Sequence, residues 1–346
     1  MKSKLNKISK QLLINALILS CLLFIVEGVF RLKNYLPYQS TPPNVTVSPS
    51  GGFYDKDSLL GYKHKPGKFD VKLKKNFSFS INHDTLGLRI TQSQKDSLMR
   101  PEIWIMGCSF THGWSVNDEE TFPWIIQSKL KKHKIVNWGT SGYGTIHFYL
   151  QLKKALEKGV QPEIVVLNHA NFHFDRNVFS YFRRRVVSSS NHLGDLNQPF
   201  GIIDTDGELI INQSKVIYNP WPLARKLALV FYLQNKIEDF RDQSKNDQQV
   251  TTLLLKKIVK LCKQKNIQLL ITNIWDDKTY IEEFSSTYQI PFVNLAVDLN
   301  KKEFTNRPFD SHPSAMAHQE YAKKLLDFIT VRFLKSTPER CKELPY

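Results

Sequence analysis

Short apolar runs rich in β-branched residues recur through the middle and the end of the chain, and stretches with helical spacing separate them. A short apolar run bounded by turn residues is typical of a buried strand, whereas apolar residues three and four apart indicate a helix face. Strands that alternate with helices favour a parallel sheet with helices on both faces. The predicted strands are 103–106, 134–138, 163–167, 268–272 and 291–295. The predicted helices begin near 117 and cover about 146–158, 224–236, 250–263 and 314–334.

The start of the chain has the pattern of a membrane anchor. Four lysines within the first ten residues precede an apolar run from Leu12 to Val26, which resumes at 28–30 after Glu27. The whole run approaches the roughly 20 residues that a bilayer requires. A signal peptide and a buried core helix have similar patterns, but no small-residue cleavage site stands out. We expect an uncleaved transmembrane helix with its positive flank in the cytoplasm and the rest of the protein in the periplasm or at the cell surface.

Between the anchor and the first buried strand the pattern changes twice. Four prolines with Ser, Thr and Gly between residues 35 and 52 indicate a linker. Alternating apolar and polar residues in 69–73 and 77–82 predict two half-exposed strands of a small β extension. Later in the chain Asp206-Gly207 predicts a hairpin, and 241–249 is polar enough for a loop. The predicted anchor, linker with β extension, main domain and tail cover 1–34, 35–100, 101–336 and 337–346.

Composition narrows the function classes. The chain of 346 residues carries 48 Lys and Arg against 32 Asp and Glu, and the formal charge of +16 suits nucleic acid, an anionic membrane or an acidic polymer. The basic residues form no recognisable nucleic-acid module, so we expect no nucleic-acid partner. The four cysteines include no CxxC pair, which argues against a zinc site, although Cys262 and Cys341 could form one disulfide. No metal ion and no cofactor is predicted, and the oligomeric state is left open.

Polar residues with catalytic uses follow the predicted strands. Ser109 comes shortly after the first strand, at the edge of the sheet where ligands of α/β proteins bind. It could be a nucleophile if a base lies nearby, or it could simply cap a helix. In the serine hydrolase interpretation His312 takes the proton from Ser109, and the Asp310 carboxylate orients the imidazole. Gly142 and Asn171, in the loops after the next two strands, could donate hydrogen bonds to the oxyanion.

The residues around these positions resemble the SGNH/GDSL hydrolases, which carry four blocks named for Ser, Gly, Asn and His. The resemblance spans about 101–334 and preserves the order of the blocks. It implies a flavodoxin-like three-layer α/β/α fold and the hydrolysis of esters, often acetyl or acyl groups on carbohydrates or lipids. The apolar start of the chain is similar to bacterial, membrane-anchored members. The matching blocks are Gly-Cys-Ser-Phe at 107–110, Ser-Gly-Tyr-Gly at 141–144, His-Ala-Asn at 169–171 and Asp-Ser-His-Pro at 310–313.

Three of the blocks depart from the family pattern. Cys108 replaces the usual Asp before the serine, and His169 stands where the Asn block usually has a glycine. Phe309 lies three residues before His312, where the family usually has its acid, whereas Asp310 lies two residues before it. A spacing of two residues occurs in some relatives. The sequence therefore leaves open both a triad that Asp310 completes and a Ser–His dyad.

Six residues near the predicted site are candidates for binding the substrate: Cys108, His112, Tyr143, His169, His173 and Arg176. Cys108 could alternatively be a cysteine nucleophile, but adjacent side chains leaving a strand point in opposite directions, so we expect it to face the core. The three histidines could suggest a metal, yet no ligand spacing supports one, and pocket or structural roles are favoured. Arg176 could hold an acidic sugar or belong to a solvated positive face.

These observations favour an ester hydrolase or acyl transferase outside the cytoplasm, with a small-molecule or glycan ester as substrate and membrane attachment through the N-terminal helix. The alternative is a non-catalytic protein on the same fold that binds glycans or assists the assembly of envelope polysaccharide. The two hypotheses differ in whether Ser109 can react. The hydrolase hypothesis requires Ser109 Oγ and the His312 ring within hydrogen-bond reach.

Overall fold

The structure is a computed structural model that describes residues 2–40, 45–73, 77–93, 99–275 and 278–334, with side chains described from residue 9 onward. Its strands are β1 (Val45–Ser48), β2 (Tyr54–Asp57), β3 (Gly61–His64), β4 (Gly67–Leu73), β5 (Phe77–His83), β6 (Glu102–Met106), β7 (Lys134–Asn137), β8 (Ile164–His169), β9 (Asn197–Ile203), β10 (Leu209–Lys215), β11 (Gln268–Asn273) and β12 (Phe292–Asn294). Its α-helices are α1 (Lys2–Leu32), α2 (Ser109–His112), α3 (Phe122–Lys129), α4 (Thr145–Glu157), α5 (His173–Asn177), α6 (Tyr181–Ser190), α7 (Ala228–Gln243), α8 (Asp247–Gln264), α9 (Thr279–Thr287) and α10 (Ala315–Ile329).

Within the described residues, a five-stranded parallel sheet has the order β12-β11-β8-β6-β7. Read from β7 and numbered along the chain, this order is 2-1-3-4-5, the flavodoxin-like arrangement. Its register aligns Ile103 on β6 with Ile135 on β7 and with Ile164 on β8. The five predicted strands are confirmed to within two residues at their ends. The strand order reverses between β6 and β8, the place where sheets of this kind bind ligands.

Helices cover both faces of the sheet. On one face Ile103 and Ile105 share a hydrophobic core with Phe122 of α3 and Tyr321 of α10. The intervening side chains of β6, such as the fully buried Trp104, point the opposite way, towards the layer in which α4 packs on α8. The predicted three-layer α/β/α fold is therefore confirmed. Its helices leave the carboxyl ends of the strands to the loops that carry the candidate site residues.

A small antiparallel β extension precedes the parallel sheet along the chain. Strands β1, β4 and β5 pair in the order β1-β4-β5, and β2 pairs with β3. Alternate residues of β4 and β5 are buried in one core with Phe53, and they include Phe69, Val71, Phe79 and Ile81. The two predicted half-exposed strands are confirmed, because period-two alternation buries one face of each strand.

The chain divides into two compact units, of which the first contains α1, α6 and α7 and the second contains the remaining elements. In the first unit Glu27 accepts hydrogen bonds of 2.9 Å from the backbone N–H groups of Ala228 and Leu229, and one of 2.8 Å from Arg31. A carboxylate at the start of a helix satisfies N–H groups that have no partner within the helix. This contact joins α1 to α7 within the first unit, whereas the sequence-based boundaries group α6 and α7 with the main domain.

Helix α1 contains the predicted anchor. The stretch Ser9–Leu32, 24 residues within α1, is apolar enough and long enough to cross a membrane, and little of it is buried. The N-terminal segment is therefore a membrane-span candidate by length and composition.

Several elements extend beyond the sequence-based bounds. Helix α7 runs to Gln243 and α8 begins at Asp247, so the predicted loop 241–249 shrinks to a short turn. The predicted hairpin is confirmed, but β9 and β10 pair over seven residues each. The polar side chains in these segments are compatible with helix and strand as long as they face solvent. Cys341 of the suggested disulfide and the predicted tail lie outside the described residues.

Candidate active site

A tight turn after β6 delivers Ser109 to the edge of the parallel sheet. Gly107 follows the strand directly, and a Cβ atom there would collide with the side chain of Thr111, so the turn requires glycine. The chain then enters the four-residue helix α2, which begins at Ser109. Because β6 lies between β7 and β8, Ser109 stands at the switch point of the sheet, where the loops of both neighbouring strands meet.

His312 and Asp310 reach Ser109 from the loop before α10. Ser109 Oγ lies 2.9 Å from His312 Nε2, and Asp310 Oδ1 lies 2.6 Å from His312 Nδ1. The same carboxylate oxygen accepts a 2.7 Å hydrogen bond from the backbone N–H of His312. The carboxylate favours a proton on Nδ1, which leaves Nε2 to accept the proton of the serine hydroxyl. The arrangement can therefore produce a serine nucleophile.

Three further side chains position Asp310. Trp114 Nε1 donates to Oδ2 at 3.2 Å, and the Ser115 hydroxyl donates to Oδ1 at 3.4 Å. Asn306 in turn donates to the carbonyl and the hydroxyl of Ser115, both at 2.9 Å. Burial alone would raise the pKa of Asp310, but the hydrogen bonds and charge of His312 and the Trp114 bond lower it overall. The carboxyl is therefore ionised at neutral pH, as the orienting role requires.

The predicted oxyanion donors lie on the loops that flank the strand of Ser109. Gly142 follows β7 and Asn171 follows β8, so both lie at the carboxyl edge of the sheet. Gly142 has a φ of 84°, a left-handed conformation that favours glycine. Arg176 braces the two loops, because its guanidinium donates to the Tyr143 carbonyl at 2.7 Å and lies 4.4 Å over the Phe172 ring. The substrate-binding role suggested for Arg176 stays a prediction.

Five of the six predicted substrate-binding residues are fully buried: Cys108, His112, Tyr143, His169 and His173. The protein packs around each of these side chains, and their role in substrate binding stays a prediction. Cys108 packs in the hydrophobic core, as its place beside Ser109 predicts. The Tyr143 hydroxyl donates to the Tyr62 carbonyl, and the rings of His169 and His173 meet edge to face at 5.6 Å.

A buried arginine that the sequence did not indicate supports the turn after α2. The Arg89 side chain is fully buried, and its Nε donates to the Asp118 carboxylate at 2.8 Å. Its terminal nitrogens donate to four backbone carbonyls, those of Ser80, His112, Gly113 and Val116. All five N–H groups of the guanidinium are thus used, which a lysine could not reproduce. The position of Ser109 therefore depends on a residue of the segment before the main domain.

No family model matches the sequence, and no curated protein matches it. Solved structures that match include a member of the lipolytic protein G-D-S-L family from Veillonella parvula, at 12% identity over 67% of this chain and 99% of that one, with a TM-score of 0.39. AlinE4, an SGNH-hydrolase family esterase, matches at 13% identity over 70% of this chain and 100% of its own, with a TM-score of 0.33. TesA matches at 12% identity over 66% and 98%, with a TM-score of 0.38. The identities and TM-scores are low, so the functional assignment must rest on the residues of this chain.

Proposed function

We propose that this protein is an ester hydrolase or acyl transferase that acts on O-acyl or O-acetyl esters of carbohydrates or lipids. Ser109 is the nucleophile, His312 the general base and Asp310 the acid that orients the base. The observation that carries the proposal is the unbroken hydrogen-bonded series Ser109–His312–Asp310, with separations of 2.9 and 2.6 Å. Both distances lie in the range expected for a nucleophile, its base and the group that orients the base.

In the proposed reaction, Ser109 Oγ attacks the acyl carbon while its proton moves to His312 Nε2. The negative oxygen of the tetrahedral intermediate accepts hydrogen bonds from the Gly142 N–H and the Asn171 amide, and loss of one such donor costs on the order of 10²–10³ in rate. Collapse breaks the bond to the alcohol, which leaves with the proton from His312. Water then takes the acyl group from Ser109 in a hydrolase, and a second hydroxyl takes it in a transferase.

The proposed location is outside the cytoplasm. The apolar stretch Ser9–Leu32 supports a membrane anchor, and the lysines before it favour a cytoplasmic N-terminus. The domain that follows would then lie in the periplasm or at the cell surface, where acylated polysaccharides and lipids are available. The formal charge of +16 suits an acidic polymer or an anionic membrane surface.

The test uses the full chain in detergent, with a fluorophosphonate probe for reactive serines and p-nitrophenyl acetate as substrate. Ser109→Ala is expected to abolish labelling and to lower kcat/KM on the order of 10⁴–10⁶-fold, because nucleophile and base act as a unit. Ser128→Ala is the matched control, since Ser128 is an exposed serine on α3 whose hydroxyl bonds only within its own helix. Cys108→Ala should retain labelling, because Cys108 lies in the core.

Each outcome separates the hypotheses. Labelling that survives in Ser109→Ala would reject Ser109 as the nucleophile, and loss of labelling in Cys108→Ala would favour the cysteine. A folded wild-type protein with neither labelling nor turnover would favour the non-catalytic glycan-binding or polysaccharide-assembly alternative.

A further inference from the structure

Three histidines from three different elements lie close together at the end of α2, the helix that begins with Ser109. His64 ends β3, His83 ends β5 and His112 ends α2. Each is at most 6% exposed, and one ring nitrogen of each lies within 4.8 Å of those of the other two. No local sequence pattern predicts this cluster, because its members are 19 and 29 residues apart along the chain.

Two of the rings have a hydrogen bond to the backbone through one nitrogen, which leaves the other nitrogen for an ion. His83 Nδ1 lies 3.0 Å from the Lys65 carbonyl oxygen, so Nδ1 carries the proton and Nε2 has a lone pair. His64 has a hydrogen bond with the backbone of Gly87, while its Nε2 has no hydrogen-bond partner among the described residues. A backbone carbonyl on the far nitrogen of an imidazole is the usual outer-shell contact of a metal-binding histidine.

The cluster is incompletely hydrogen-bonded as it stands. His83 Nε2 and His112 Nε2 are 3.0 Å apart and can share only one proton. His64 Nε2 is also buried without a partner in the part of the chain that the structure describes. A buried polar atom without a partner costs about 1–3 kcal/mol, and an unseen ion or water is a common reason for one.

We propose that His64, His83 and His112 bind a divalent transition-metal ion, with Zn²⁺ as the preferred ion. Neutral imidazoles suit zinc, whose bonds to nitrogen are about 2.0–2.1 Å long and place tetrahedral ligand atoms about 3.4 Å apart. The 3.0 Å separation of His83 and His112 is close to that value. The charge of the nearby Arg89 is balanced by Asp118 at 2.8 Å, so it does not exclude a cation.

One ring must turn when the ion binds. The rings of His64 and His83 are stacked, with centroids 4.4 Å apart and planes inclined by 11°, so their lone pairs run nearly parallel. Rotation of His64 about its Cβ–Cγ bond directs its Nε2 at an ion shared with the other two. The ion would then tie β3 and β5 of the β extension to α2, the helix that begins with Ser109. The role of the ion is structural, and its binding does not depend on the proposed hydrolase reaction.

The experiment measures zinc and stability in the full chain, purified in detergent with an affinity tag that contains no histidine. We expect about one zinc per chain by mass spectrometry, a fall in Tm after chelation, and recovery of Tm when Zn²⁺ is returned. Substitution with Co²⁺ should give the visible absorption of a tetrahedral site. Wild-type protein that contains no metal, and whose Tm does not respond to added Zn²⁺, would overturn the proposal.

A matched pair of variants locates the ion. His64→Phe preserves an aromatic ring for stacking but removes both nitrogens, and it should weaken zinc binding more than tenfold. His318→Phe is the control, because His318 is equally buried, has a ring nitrogen without a described partner and stacks on Phe122 outside the cluster. Zinc binding that survives in folded His64→Phe would also overturn the proposal. If that variant does not fold, the chelation experiment on wild-type protein decides alone.

Discussion

His312 and His112 lie near opposite ends of the short helix α2, yet their surroundings are opposite. The side chain of His312 is 27% exposed and lies between the Ser109 hydroxyl and the Asp310 carboxylate. His112 is fully buried, and its pKa is lowered well below the usual range, first by burial and then by His64 and Arg89. The comparison shows that burial keeps an imidazole neutral but does not make it a general base. A base also needs a carboxylate on one nitrogen and an open path on the other.

The largest effect that tests this comparison is expected from His312→Ala. Removal of the base should lower kcat/KM for p-nitrophenyl acetate on the order of 10⁴–10⁶-fold, because Ser109 then has no proton acceptor. The folded state should persist, since the His312 ring is partly exposed. His133→Ala is a suitable control, because within the described part of the chain the His133 side chain pairs with the Glu163 carboxylate at 3.4 Å and lies outside the site. A loss of less than tenfold would show that His312 is not the base.

Asp310→Asn sharpens the comparison by testing whether the carboxylate matters. An amide keeps the shape of the side chain but favours the wrong tautomer of His312, and comparable changes lower kcat by about 10⁴. A Ser–His dyad predicts a loss of no more than about tenfold. The measurement is kcat at saturating p-nitrophenyl acetate, with the intact fold checked by circular dichroism. The size of the loss therefore distinguishes the two arrangements that the sequence left open.

Arg89 tests how the turn after α2, which begins at His112, is held in place. Arg89→Leu leaves the Asp118 carboxylate buried without its cation and strips hydrogen bonds from four carbonyls. Breaking a buried pair in this way should lower the free energy of unfolding by about 3–5 kcal/mol. The exposed Arg307→Leu should change it by no more than about 0.5 kcal/mol. Urea unfolding in detergent measures both, and similar values for the two variants would contradict the role given to Arg89.

The sequence predicted the features that are encoded locally. The apolar runs identified the strands, and a strand that ends in a glycine and a serine predicted where Ser109 lies. Position along the chain was enough to predict that Ser109, Asp310 and His312 lie close together, because the carboxyl ends of parallel strands share one edge of the sheet. The alternation in β5 also held an unused signal. It buries Phe79 and Ile81, and its next member is His83, so the pattern places a histidine in the interior.

Residues defined by distant contacts could not be predicted in this way. Glu27 lies 201 residues from Ala228, whose N–H it accepts, and no local pattern indicates that pairing. Arg89 reaches Asp118 across 29 residues and resembles an ordinary surface arginine in the sequence. The packing around the substrate-binding candidates could not be predicted for the same reason, since a motif gives the place of a residue along the chain but not the neighbours that bury it.

The smallest effect concerns a buried histidine outside both sites. Burial, followed by the charges of Arg89 and His312, lowers the pKa of His318 from 6.5 to about 3. Between those values the unfolded chain binds a proton that the native state does not, so stability falls as the pH falls below about 6.5. At pH 5 this amounts to about 2 kcal/mol. In His318→Phe, the loss of unfolding free energy between pH 7.5 and 5 should be smaller by that amount. Equal losses in wild type and variant, measured by urea unfolding, would mean that His318 takes up the proton in the folded protein.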